Sequence, residues 1–212
     1  WQRAEGRPIT RLAALLGELA RRFPDAAVTR LAVCGSGKER TAKALGAPSL
    51  NEIVAHAKAA ARLYPEAQSV IEIGGQDSKY ITLRPIAGQE SQIGRAVFNE
   101  LCAAGTGAFL DQQAARLGLG IERFSEMAAQ AIHGARVAGR CSVFAKTDMI
   151  HLQQRAVGQD EIAYGLCLAL ARNYLSTLCH GERPPTPILF QGGVAQNQGV
   201  ARAFRELLRI TD

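Results

Sequence analysis

The chain reads as an α/β protein. Short apolar runs of strand length alternate with amphipathic helical stretches, and two of those runs end in a Gly-Gly pair. Hydrophobic residues make up 47% of the 212, enough for one substantial domain or two small lobes. Pro8 to Phe23 is expected to be a helix, because Leu12, Leu15, Leu16, Leu19 and Phe23 recur at helical spacing. Val28 to Val33 reads as a short apolar strand closed by Gly35-Ser-Gly37. Asn51 to Leu63 is an alanine-rich helix stopped by Pro65. Ser69 to Ile73 is a buried strand, with Lys79 to Leu83 as its hairpin partner across Gly74-Gly75. Phe98 to Gly107 is expected to be a loop that opens a helix running to about Leu117. Ile121 to Ile132 and Val143 to Gln154 are further helices. Glu161 to Leu178 is a long core helix with Asp160 as its N-cap. Ile188 to Phe190 is a strand closed by Gly192-Gly193, and Gln198 to Leu208 is the last helix. Pro65 to Gln68 is the expected hinge between a first lobe, residues 1–67, and a second, residues 68–212.

Composition narrows the function classes. The net charge of +6 comes from 25 basic and 19 acidic residues, and the basic ones are scattered. Aromatics are only 6%, too few for a base-stacking surface, so nucleic acid is not an expected partner. No run of eighteen uncharged apolar residues occurs, so no membrane span is expected. No n-region, h-region and cleavage pattern appears at the start of these residues, so nothing argues for secretion; the five cysteines are odd in number, and no C-x-x-C occurs. A disulfide framework is therefore not expected, and a cytoplasmic protein is. Trp1 in place of Met suggests an excised piece of a longer protein.

Two cysteines carry the strongest signal. Cys102 lies in Asn99-Glu-Leu-Cys-Ala-Ala-Gly-Thr-Gly107 and Cys141 in Gly139-Arg-Cys-Ser-Val-Phe-Ala-Lys-Thr-Asp148, each just ahead of a helical pattern. A helix N-terminus carries partial positive charge and free N–H groups, and a thiol there favours the thiolate that ligates metal. Two ligands do not complete a cluster, so such a role needs a second copy of the chain. Cys34, Cys167 and Cys179 read as core thiols, and none of the four histidines is assigned a ligand role.

Gly74-Gly75 and Gly192-Gly193 end strands where backbone N–H groups could approach phosphate; ordinary tight turns are the plainer reading of each. Glu72 or Asp77 could hold Mg²⁺ through water. Gly105-Thr106-Gly107 could hold an anion at a helix start, or Thr106 could simply cap that helix.

Six segments in order carry a resemblance. They are Cys34-Gly-Ser-Gly37, Asn51-Glu-Ile-Val-Ala55, Ile71-Glu-Ile-Gly-Gly-Gln-Asp-Ser-Lys79, Cys102-Ala-Ala-Gly-Thr-Gly-Ala-Phe-Leu110, Gly139 to Asp148, and Gln191-Gly-Gly-Val-Ala-Gln-Asn197. Together they resemble the ATP-dependent activators of 2-hydroxyacyl-CoA dehydratases and the ATPase subunits of benzoyl-CoA reductase, closest in wording to long multidomain members. The resemblance implies an actin-like fold shared with sugar kinases and heat-shock chaperones, with ATP and Mg²⁺ between two lobes. It implies a homodimer holding one 4Fe–4S cluster, with Cys102 and Cys141 as the ligands from each chain. It places Gly74, Gly75, Gln76 and Asp77 in the second phosphate-binding turn, and Gly192, Gly193 and Asn197 in the adenosine turn. Gly105, Thr106 and Gly107 would sense the phosphates. Apart from the resemblance, Asp77 and Glu52 are the candidate catalytic residues, Glu52 as the one to position the attacking water. The implied partners are a dehydratase or reductase electron acceptor and a flavodoxin- or ferredoxin-type donor. The family's first phosphate hairpin and its closing strand and helix have no counterpart in these 212 residues, so the fold is expected to be truncated at both ends. Competing readings are an iron-free phosphotransferase of the sugar-kinase type, for which Asp77 is the arguable base, and a non-catalytic dimerisation module.

Overall fold

The computed structural model describes residues 6–86, 89–99, 103–139 and 141–210, apart from the side chains of residues 89, 90 and 103. The chain divides into two compact units, residues 1–56 and 57–212.

The first unit holds α1 (Pro8–Arg22), α2 (Lys38–Leu45) and the start of α3 (Glu52–Leu63). The apolar stripe predicted α1 correctly, yet α1 carries no buried residue. Val28 to Val33 is not a strand. Only Val33 makes a bridge, parallel to Ser49, while Val28 is 80% exposed. A strand needs a neighbour along its length for its N–H and C=O groups, and among the described residues none runs beside this segment. Cys34 is accordingly exposed, not a core thiol. The short polar helix α2 was not anticipated. Asn51 caps α3, its Oδ1 accepting from the N–H groups of Ile53 and Val54 at 2.9 and 3.2 Å.

The second unit is built on a four-stranded sheet, β1 (Ser69–Ile73), β2 (Ser78–Ile86), β3 (Gln89–Asn99) and β4 (Ile188–Gln191), in the order β3-β2-β1-β4. β1 is buried along its whole length, pairing antiparallel with β2 and parallel with β4. β3 was not anticipated, and it takes Phe98 and Asn99 out of the expected loop.

Helices α4 (Gly107–Arg116), α5 (Ile121–Gln130), α6 (Ser142–Gln154), α7 (Gln159–Thr177) and α8 (Gln198–Leu208) complete the unit. α7 is the core helix: Ile162, Leu166 and Leu170 are fully buried, and it packs against both α5 and α8. Each such side chain stabilises the fold by about 1.5–3 kcal/mol relative to exposure. Its N-cap is Gly158, with Asp160 inside the first turn, where a carboxylate still opposes the helix dipole. Cys167 lies within α7 and Cys179 just past its end, both buried as expected. Burial pushes the Cys179 thiol up to about 12 and the Cys167 thiol higher still. No helix among the described residues is long and apolar enough to cross a membrane.

Candidate functional site

Three backbone elements of the second unit converge at the ends of β1 and β4. The first is the turn Gly74–Asp77, closed by Gly74 N–H donating to the Asp77 carbonyl at 3.0 Å. Gly75 and Gln76 are exposed at its tip, and Asp77 is half-buried. The second is the turn after β4. Gly192 has φ +92°, and a Cβ there would overlap the Ile73 carbonyl and lie 2.7 Å from Glu72 Oε1. Only glycine meets both conditions. Gly193 begins a short 3₁₀ turn that leads into α8. The third is the start of α4. Gly107 N–H donates to the Gly74 carbonyl at 2.8 Å, and Ala108 N–H donates to the Gly75 carbonyl at 2.9 Å. A Cβ on Gly107 would stand 3.0 Å from both the Gly74 carbonyl and Val194 Cγ2, so the start of α4 touches both turns.

The sequence-predicted residues Gly74, Gly75, Asp77, Gly107, Gly192 and Gly193 therefore come together. Gly105 and Thr106 stand just before α4, with Thr106 fully buried. Thr106 occupies the N-cap position of α4, but its side chain makes no capping hydrogen bond. The N–H groups of Gly107 and Ala108 are already engaged by the first turn, so a phosphate held there would reach α4 through that turn. Asn197 is buried and caps α8, its Oδ1 accepting from Val200 N–H at 3.1 Å. Glu52 belongs to the first unit, in the first turn of α3, with His56 Nε2 3.7 Å from its Oε1.

One residue of this site escaped the sequence reading. Lys79 is 0% exposed, and its Nζ lies 2.9 Å from Asp77 Oδ1 and 3.1 Å from Glu72 Oε2. Glu72 is engaged and 4% exposed, which makes it a poor ligand for a hydrated Mg²⁺. The Asp77 side chain keeps 16% of its surface open at the glycine turn and suits a water-mediated Mg²⁺ contact.

Cys141 is the N-cap residue of α6, half-buried and a free thiol. The segment before it is pinned. Gly139 packs so closely on the Ala169 carbonyl that a Cβ would collide, and Ala138 N–H donates to Asp148 Oδ2 at 2.8 Å. As the N-cap residue, Cys141 stands at the positive end of the α6 dipole. The other candidate ligand, Cys102, lies outside the described residues, among which no three His, Cys, Asp or Glu side chains form a metal-binding group.

Two glycine turns and a helix start gathered on one sheet end make a backbone-lined site of the kind that holds phosphate in α/β proteins. The chain belongs to the BadF/BadG/BcrA/BcrD ATPase family, which matches residues 14–210. It is 34% identical over 160 residues to the activator of lactoyl-CoA dehydratase of Anaerotignum propionicum, covering 76% of this chain and 60% of that protein. It is 30% identical over 161 residues to the (R)-2-hydroxyglutaryl-CoA dehydratase activating ATPase of Acidaminococcus fermentans, again covering 76% and 60%. The crystal structure of the Acidaminococcus fermentans dehydratase component A superposes with a TM-score of 0.75 at 28% identity, over 84% of this chain and 66% of that one. The activator of 2-hydroxyisocaproyl-CoA dehydratase from Clostridium difficile with bound ADPNP superposes with a TM-score of 0.82 at 24% identity, over 93% and 72%, and bears on the fold alone. The chain spans about three fifths of the length of the curated relatives it matches.

Proposed function

We propose that this chain is an ATP-binding part of an activator that donates single electrons to a 2-hydroxyacyl-CoA dehydratase or related reductase. The observation that carries the nucleotide half is the convergence of the Gly74–Asp77 turn, the Gly192–Gly193 turn and the start of α4 in one place. In this reading residues 68–212 are the second lobe and residues 1–67 the remainder of the first. Gly74, Gly75 and Gln76 hold phosphate, Asp77 orients Mg²⁺ through water, and Gly192 and Gly193 face the adenosine, with Asn197 holding the start of α8 behind them. Glu52 positions the attacking water. Gly105, Thr106 and Gly107 pass a displacement of the turn into α4, and so towards Cys102.

Cys141 and Cys102, two from each of two copies, would hold a 4Fe–4S cluster, which when bound supplies the one-electron chemistry. Two features support a second copy: Cys141 is half-buried at the mouth of α6, and the next two residues but one, Val143 and Phe144, are each 64% exposed. Bare apolar side chains beside a free thiol suit a self-complementary two-fold contact. The dehydratase partner follows from the relatives' names, the flavodoxin- or ferredoxin-type donor from the one-electron chemistry, and a cytoplasmic setting from the free thiols.

The test is anaerobic reconstitution with iron and sulfide, followed by iron content, visible absorbance and mass in solution. A coloured dimer with about four irons per pair, losing its colour in Cys141→Ala, is the expected result. A colourless monomer after metal loading would remove the electron-transfer reading while leaving nucleotide binding to be measured separately.

A further inference from the structure

Lys79 stands in a cross-strand row. It faces Glu72 on β1 and Phe98 on β3 in register, and its ammonium lies 5.0 Å from the Phe98 ring centroid. Its Nζ also reaches Asp77 Oδ1 at 2.9 Å, so one buried cation touches two carboxylates and an aromatic face. Isolated buried charge is unfavourable, and this ammonium is compensated on both sides. The three charged groups together carry a net charge of −1. Without Lys79 the carboxylates of Glu72 and Asp77 would face each other at the phosphate turn with a charge of −2, an arrangement that attracts a divalent cation.

From this we infer that Lys79 is a built-in cation that keeps a divalent ion out of the turn until nucleotide arrives. It occupies the space between Glu72 and Asp77 and ties down one Asp77 oxygen. Asp77 is thereby left as the weak, partly open acceptor on which a metal settles only when phosphate oxygens add their charge. Lys79 is thus a positioning residue that makes metal binding depend on nucleotide. The inference rests on the nucleotide-binding reading above and deepens it.

The experiment measures Mn²⁺ binding by its free-ion EPR signal, without nucleotide and with ADP, in the wild-type chain and in Lys79→Met. Wild type is expected to bind Mn²⁺ tightly only with ADP. Lys79→Met is expected to bind nucleotide-free Mn²⁺ at least about tenfold more tightly, since deleting a unit charge a few ångströms away outweighs that factor even with strong screening. Glu72→Gln in the same chain, which returns the net charge to −1, should cancel the gain. A folded Lys79→Met with unchanged nucleotide-free Mn²⁺ affinity would overturn the inference and leave Lys79 as a structural strut. Should Lys79→Met not fold, Lys79→Gln carries the same expectation, because it keeps a hydrogen-bond donor between the carboxylates. Failure of wild type to bind Mn²⁺ with ADP would instead count against the nucleotide reading, whatever the variants do with Mn²⁺ alone.

Discussion

The two glycine turns end neighbouring strands, yet they use glycine differently. At Gly192 the residue is demanded twice, by a positive φ and by the Ile73 carbonyl and Glu72 carboxylate that crowd the place of a Cβ. At Gly75 nothing lies within 4 Å of that place and φ is not positive. The first turn is open to solvent and built for access; the second is wedged against the sheet and built for closeness. A Gly-Gly pair in a sequence announces both with the same letters.

Substitutions test that contrast. Gly192→Ala should be the most damaging, costing about 3 kcal/mol from backbone strain and overlap together. For a chain of this size that is a fall in Tm of roughly 6–12 °C. Gly199 and Asn197, just beyond this turn, pack against Cys167, so the same variant should speed the reaction of that buried thiol with a thiol reagent. Unchanged Cys167 protection with a normal melt would show that the second turn has room to give.

Gly107→Ala comes next, at about 1 kcal/mol, because its Cβ must displace the Gly74 carbonyl or Val194 by a few tenths of an ångström. Its signature is weaker ADP binding with a fall in Tm of only about 2–4 °C. A loss of stability without a loss of affinity would separate α4 from the nucleotide.

A milder effect comes from alkali. Burial raises Tyr80 and Cys179 to about 12, so both stay neutral in the folded protein after they would have ionised in the unfolded chain. Their contribution to stability is present below the unfolded values of roughly 9–10 and is lost as pH rises from there towards 12. Denaturant midpoints should therefore decline above about pH 9, whichever turn is mutated. A flat profile between pH 8 and 11 would contradict that burial. Smallest of all, Gly75→Ala should change stability by no more than about 0.5 kcal/mol. A large loss there would erase the contrast between the turns.

The same distinction governs how far the fold was legible. Ser69 to Ile73 and Val28 to Val33 have the same strand-like composition, but only the first acquired neighbours, and a strand exists by its neighbours. β3 hid because Gln89–Asn99 is polar and interrupted by Gly94, as an edge strand can be. α7 and α8 were plain from their apolar period, though Gly158 rather than Asp160 precedes α7. The glycine turns and Cys141 were placed by local pattern alone. Lys79 was not, because a lysine in a strand ordinarily points to water, and only the pairing of β1 with β2 sets it between two carboxylates.

The bond pair from Gly107 and Ala108 to the carbonyls of Gly74 and Gly75 is made wholly of main-chain atoms. Such a joint leaves no side chain to delete, so alanine scanning passes over it and sequence drift at Ala108 leaves it intact. Exchanging the amide at Ala108 for an ester, which removes one donor and alters nothing else in outline, would loosen it directly.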